Sequence, residues 1–338
     1  MSSSSNRAAV LGAGSWGTAL AVHLGRVGRD VALWGRDATL VAELTAARAN
    51  LTYLPAVPFP DLVAPVADLD RALAGARYVI VAVPSHGLRE VVRAAAPFVS
   101  ADAVFVSATK GLETDSLERM SDVIREETAG RHPVVVLSGP SFASEVARGC
   151  PTALVAASLD ATAVRAVQEE FRGASVRLYA SDDVVGVELG AALKNIIAIA
   201  AGVVESLELG HNALAALITR GLAEMSRLAC AMGGRRETLA GLSGLGDLVL
   251  TCTGTLSRNR HVGVELGQGR SLDSVLSGMR MVAEGVRTTS AALALGASHD
   301  VELPIAAQMA EVLAGRRTPR EAVGCLMLRP QRDELETA

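Results

Sequence analysis

Along the first half of the chain, short runs of nearly uninterrupted apolar residues alternate with longer stretches rich in Ala and Leu. The runs at Ala8–Leu11, Asp30–Trp34, Tyr78–Val83, Ala103–Ser107 and Val134–Leu137 predict strands. Thr18–Val27, Leu40–Arg48 and Leu117–Glu127 predict helices between them. Apolar strands separated by helices imply a parallel sheet covered on both faces. Two more strand-like runs, Ala153–Ala157 and Ser175–Tyr179, flank a helical stretch. Leu51–Pro60, with Pro55, Pro58 and Pro60, reads as irregular loop. After about residue 183 the strand signal fades. Val187–Leu207, Ala213–Met232, Ser257–Leu266, Leu272–Leu276, Thr288–Ala297 and Pro304–Ala314 predict helices instead. The expected fold is α/β: a parallel-sheet domain over residues 1–183, then an all-α domain over 184–338, with a ligand cleft between them. A length of 338 residues suits two cores better than one.

Composition narrows this picture. Half the residues are hydrophobic and only 3% aromatic, which fits tight Ala/Val/Leu packing and argues against disorder. Net charge is −4 with both signs dispersed and no basic block, which argues against a nucleic-acid partner or an anionic membrane surface. Cys150, Cys230, Cys252 and Cys325 stand alone, as structural thiols in a reducing compartment do. The polar start lacks the pattern of a signal peptide. The apolar stretch Ala191–Val204 is interrupted by Lys194 and Asn195 and is shorter than the roughly 20 residues of a membrane span. A soluble, cytoplasmic protein without stable membrane insertion is expected.

Gly12-Ala13-Gly14-Ser15-Trp16-Gly17 places G-x-G-x-x-G between the first strand and the first helix. Gly12 permits the tight turn, Gly14 lets backbone approach a pyrophosphate, and Gly17 lets helix and strand pack closely. The helix N-terminus offers free N–H groups to phosphate. Dinucleotide binding, in a Rossmann-type domain, is the reading. The second strand ends in Trp34-Gly35-Arg36-Asp37. Arg36 either meets a 2′-phosphate or adenine, which suits NADP, or is a solvated surface residue. Asp37 is a candidate helix cap.

Lys110 follows a strand at the carboxyl edge of the sheet, where ligands of such folds bind. It suits an anionic substrate, although an exposed loop lysine has the same sequence signature. Ser138-Gly139-Pro140-Ser141 is a turn into a helix that either binds polar ligand atoms or only turns the chain. Lys194 and Asn195 break an apolar helix; a buried ammonium needs a partner, so Lys194 serves a site or snorkels outward. Asp247 lies in a glycine-rich turn, as a lysine partner or a turn former. Ser257, Arg258 and Asn259, at a predicted helix start, combine hydroxyl, guanidinium, amide and free N–H groups suited to phosphate. The six histidines show no metal spacing, so no metal is expected.

Taken together, Gly12–Gly17, Thr109–Gly111, Gly139–Ala143, Glu188–Asn195, Asn212–Leu228, Gly241–Asp247, Ser257–Asn259 and Val282–Gly285 resemble the bacterial NAD(P)-dependent glycerol-3-phosphate dehydrogenases. The resemblance spans about Val10 to Leu328. It implies hydride transfer between NAD(P)H and dihydroxyacetone phosphate, giving sn-glycerol 3-phosphate, a phospholipid precursor, and a protein that is often dimeric. It also implies Lys194 as the catalytic residue. The implied cofactor contacts are Ser15, Trp16, Arg36, Lys110 and Ala143, with Arg258, Val282 and Glu284 reaching across from the second half. The implied substrate contacts are Lys110, Gly139, Ser141, Lys194, Asp247, Ser257, Arg258 and Asn259. A sister reductase acting on a hydroxy acid or sugar acid is the nearest rival, against which the phosphate cluster argues. A non-catalytic nucleotide sensor would leave Lys194 and Asp247 without purpose.

Overall fold

In the computed structural model, which describes residues 7–279, 282–331, 333 and 334, the chain forms a sheet half followed by a helical half. The strands are β1 (Arg7–Leu11), β2 (Asp30–Trp34), β3 (Ala49–Asn50), β4 (Leu54–Pro58), β5 (Val63–Val66), β6 (Tyr78–Val81), β7 (Val104–Ser107), β8 (Val134–Ser138), β9 (Thr152–Ala157) and β10 (Val176–Ser181). Helices α1 (Ser15–Arg26), α2 (Ala38–Ala47), α3 (Leu69–Leu73), α4 (Leu88–Ala95), α5 (Met120–Glu127), α6 (Ala143–Arg148) and α7 (Ala161–Glu170) cover them. The main sheet has the order β10-β9-β8-β7-β6-β1-β2-β5. Chain order reverses beside β1, between β6 and β2, which opens a crevice at the carboxyl ends of β1 and β6. The central strands of the sheet are buried on both faces, by one apolar cluster that includes Val10, Leu33 and Ile80 and another that includes Leu11, Val81 and Phe105.

Three sequence expectations need correction. The sheet is not wholly parallel, because β9 runs antiparallel to β8. Leu51–Pro60 is not wholly irregular: β4 pairs antiparallel with β3 in a two-stranded ribbon, where a missing proline N–H is tolerated. The short β5, interrupted by Pro65, carries no strand signal in the sequence; as the edge strand it needs only one hydrogen-bonded neighbour. Asp37 caps α2, accepting from the Thr39 and Leu40 amides.

The described residues after Ser181 contain only helices and turns: α8 (Val184–Ser206), α9 (Gly210–Ala231), α10 (Arg236–Ala240), α11 (Asp247–Thr253), α12 (Arg258–Gly267), α13 (Leu272–Ser277), α14 (Glu284–Ser298), α15 (Pro304–Leu313) and α16 (Pro319–Met327). Helix α8 is the axis of this half. It is longer than its sequence suggested and is long and apolar enough to cross a membrane; 94% of its most apolar window is nevertheless inside the molecule, as in a core helix. Gly202 and Gly263 let α8 and α12 touch: a Cβ on Gly263 would fall 1.9 Å from the Ile199 carbonyl oxygen. That approach fixes the start of α12 beside the middle of α8.

Candidate active site

The glycine-rich turn sits at the β1/β6 crevice. Gly12 has φ +120°, and a Cβ there would lie 2.6 Å from the Ala82 carbonyl oxygen just past β6. A Cβ on Gly17 would lie 1.9 Å from the Gly12 carbonyl oxygen. Both positions require glycine. A Cβ on Gly14, by contrast, meets nothing within 4 Å, so the turn presents an open backbone face. Gly14 is the N-cap of α1 and provides no side-chain cap, and the first turn holds no acid. Free N–H groups, a positive helix end and open space together fit a dinucleotide pyrophosphate. Ser15 and Trp16 open α1, and the Trp16 indole donates to the Ala108 carbonyl at 3.1 Å, tying the turn to the exit of β7. Arg36 is exposed and has no hydrogen bond or ion pair among the described residues.

The chemical centre lies where this edge meets α8 and α11. Lys194 is only 5% exposed and Asp247 only 1%. The Lys194 ammonium donates to Asp247 Oδ1 at 2.5 Å and to Thr251 Oγ1 at 2.9 Å. Lys110 donates to Asp247 Oδ2 at 2.8 Å and to the Gly139 carbonyl at 3.0 Å. Ser141 donates to that same carbonyl at 2.9 Å. A single π-helical turn, Leu242–Gly246, delivers Asp247. Gly190 makes this possible, since a Cβ there would press on the Ser243 carbonyl at 2.7 Å.

Burial pushes the Lys194 ammonium down to about 7, against the pull of Asp247 and with help from Lys110. Burial alone would raise the Asp247 carboxyl, but the two ammonium groups hold it below the usual range. The result is a proton donor poised near neutrality and fixed by an ionised acid.

The N-terminus of α12 stands beside Lys194. Asn195 Oδ1 accepts from Asn259 Nδ2 at 2.9 Å, and Asn259 Oδ1 accepts from the Gly285 amide at 2.9 Å. Ser257 caps α12 through the Arg260 amide. Arg258 has an exposed surface and no hydrogen bond or ion pair among the described residues; the protein packed around it partly desolvates its guanidinium and lowers it from the ordinary value, despite the attraction of Glu284. Glu284, at the first turn of α14, accepts from the Ser85 amide at 3.2 Å and hydroxyl at 2.7 Å, which joins the two halves of the chain beside Gly111. Val282 precedes α14 and Ala143 opens α6, both half-buried.

The structure thus brings Lys110, Gly139, Ser141, Lys194 and Asp247 into one connected network. Asn259 bonds Asn195, the chain neighbour of Lys194, and so stands beside the network rather than in it, while Arg36 and Arg258 remain unengaged. Sequence reasoning missed Thr251, Asn195 and Ser85 as site members. Thr251 lies four residues after Asp247, hence on the same helical face. Ser85 follows β6 at the same sheet edge as Lys110. Asn195 reads in the sequence as a break in an apolar helix and the end of the Glu188–Asn195 motif, with no sign of its partner Asn259, 64 residues away.

Comparison with known proteins identifies the family. Residues 7–164 match the family described as NAD-dependent glycerol-3-phosphate dehydrogenase N-terminus, and residues 183–324 match the corresponding C-terminus. A glycerol-3-phosphate dehydrogenase [NAD(P)+] of Koribacter versatilis is 53% identical over 98% of this chain and 99% of that protein. One of Acidobacterium capsulatum is also 53% identical, over 97% of this chain and all of that protein. The crystal structure of glycerol-3-phosphate dehydrogenase from Coxiella burnetii superposes with a TM-score of 0.92 at 42% identity, covering 96% of this chain and 99% of that one. The chain belongs to the NAD-dependent glycerol-3-phosphate dehydrogenase family.

Proposed function

We propose that the network of Lys194, Asp247 and Lys110 carries the reduction of dihydroxyacetone phosphate to sn-glycerol 3-phosphate, a phospholipid precursor, in this NAD(P)-dependent oxidoreductase. The observation that carries the reading is a lysine poised near neutrality, buried on an ionised aspartate and one residue from a bridge to a phosphate-suited helix start. Ser15, Trp16, Arg36, Lys110 and Ala143, with Arg258, Val282 and Glu284 from the helical half, would hold the nicotinamide dinucleotide. When bound, its reduced form supplies the hydride that adds to the substrate carbonyl carbon. Lys194, as ammonium, gives its proton to the carbonyl oxygen and stabilises the charge growing there. Asp247 and Thr251 hold the Lys194 nitrogen in place. Lys110, Gly139 and Ser141 would contact the substrate from the sheet half. Ser257, Arg258, Asn259 and the free N–H groups of α12 take the phosphate, whose binding energy positions the reacting end.

The direct test is nicotinamide absorbance at about 340 nm with dihydroxyacetone phosphate, run in parallel with NADH and NADPH. Rapid oxidation is expected. Preference for NADPH, abolished in Arg36→Ala, would place Arg36 at the 2′-phosphate; no oxidation with either nucleotide would overturn the reading. Arg258→Ala should raise KM for dihydroxyacetone phosphate about tenfold or more while kcat changes less. An unchanged KM removes Arg258 from the phosphate site.

The chain is further read as two domains divided near residue 183, supported by the change from β10 to α8. Cytoplasmic location is supported by four free cysteines. Homodimer assembly rests on family resemblance, and light scattering should then return twice the 34.9 kDa chain mass.

A further inference from the structure

The buried carboxylate of Glu188 lies outside the chemical network yet makes a dense set of contacts. Glu188 is 4% exposed, in the second turn of α8, six residues before Lys194. It accepts from the Ser121 amide at 2.8 Å, the Ser121 hydroxyl at 2.7 Å and the Arg119 guanidinium at 3.0 Å. The N-cap of α5 is Arg119, whose side chain does not cap the helix. Glu188 therefore supplies, from another helix, the acceptor that the start of α5 lacks.

Those contacts reach Lys110 through a closed loop. Leu112 bridges Arg119 in antiparallel fashion, and the Glu113 amide donates to the Glu118 carbonyl at 2.9 Å. Leu112 is buried in the apolar core of the helical half, and Leu117 packs against it. From the other side Arg89, at the start of α4, holds Glu113 at 2.6 Å and Glu118 at 3.0 Å. Arg119, held by Glu188, thus stands across from a residue only two positions beyond Lys110.

We infer that Glu188 is a positioning residue that docks the Lys110-bearing loop on α8 and so sets where Lys110 stands relative to Lys194 and Asp247. The inference rests on the functional reading above. Its physical content is that Lys110 and Lys194 share one carboxylate, so a small retreat of Lys110 changes both substrate fit and the proton affinity of Lys194. The charged groups facing Glu188 are Arg119 and Asp122, with the Ser121 hydroxyl; those facing Lys194 are Asp247 and Lys110, with the Thr251 hydroxyl.

The test uses the full chain with Glu188→Gln, Ser121→Ala and Lys110→Met variants. Two readouts are taken: KM for dihydroxyacetone phosphate, and the pH dependence of Lys194 acetylation by acetic anhydride, resolved by residue with mass spectrometry and without substrate. Wild-type labelling should have its midpoint near 7. In Glu188→Gln the midpoint should move toward the ordinary lysine value and KM should rise about tenfold. Ser121→Ala should shift both in the same direction by less. On a Lys110→Met background, Glu188→Gln should move the midpoint no further. The idea is overturned if Glu188→Gln leaves midpoint and KM unchanged, or shifts the midpoint equally with and without Lys110. Should Glu188→Gln fail to fold, Ser121→Ala decides by the same criteria. Absence of wild-type turnover would overturn the functional reading alone, because the labelling arm needs no substrate.

Discussion

Replacing Lys194 with methionine should lower kcat for dihydroxyacetone phosphate reduction by about 10²–10⁴-fold while nucleotide affinity stays near wild type. Methionine fills much of the same volume, and Asp247 keeps Lys110 as its partner, so the fold should survive. The same lysine predicts the pH profile. With its free-enzyme value near 7, kcat/KM for reduction should be flat below about pH 7 and fall above it, as the ammonium is lost. Glycerol 3-phosphate oxidation, which needs the neutral amine, should rise toward pH 7 and level off. Stability follows from the depressed value: between about pH 7 and the ordinary lysine value near pH 10.4 the unfolded chain binds more protons than the folded one. Wild-type stability should therefore gain from Lys194 as pH rises through that window, and Lys194→Met should lose that gain. Steady-state kinetics and urea melts across pH check both. A Lys194→Met enzyme turning over near wild-type rates would remove Lys194 from the chemistry.

Asp247→Asn should be costly in a different way. The carboxylate serves two ammonium groups in a site 1% exposed. Its neutral replacement leaves two like charges, Lys194 buried and Lys110 half-buried, without a counterion. Breaking such a pair costs about 3–5 kcal/mol, with the lower end expected because Lys194 can relieve the repulsion by losing its proton. That relief is itself the functional damage. Without the pull of Asp247, Lys194 falls further below neutrality, so reduction at pH 7 should drop by about 10²-fold and recover partly on acidification. Denaturant unfolding and the pH dependence of kcat/KM measure the two effects. If the asparagine variant keeps the wild-type pH midpoint, Asp247 is not the electrostatic partner of Lys194.

Local chemistry made some of this protein legible in the chain itself. The G-x-G-x-x-G turn was readable because steric demand at Gly12 and Gly17 admits no side chain, and such demands leave a residue signature. Most strands and long helices were readable from apolar runs. Lys194 and Asp247 stood out as polar breaks in apolar or glycine-rich surroundings, and Ser257–Asn259 as a cluster at a helix start. Tertiary structure alone decided what these residues touch. Lys110, Lys194 and Asp247 are separated by 137 positions at the extremes, and no periodicity reports that a π-helical turn packed on Gly190 makes them meet. The direction of β9 and the β3–β4 ribbon also depended on partners, because pairing is a contact between distant segments. So did the poise of Lys194: a proton affinity near neutrality is a property of burial and neighbouring charge, which a sequence position does not carry until the chain has folded around it.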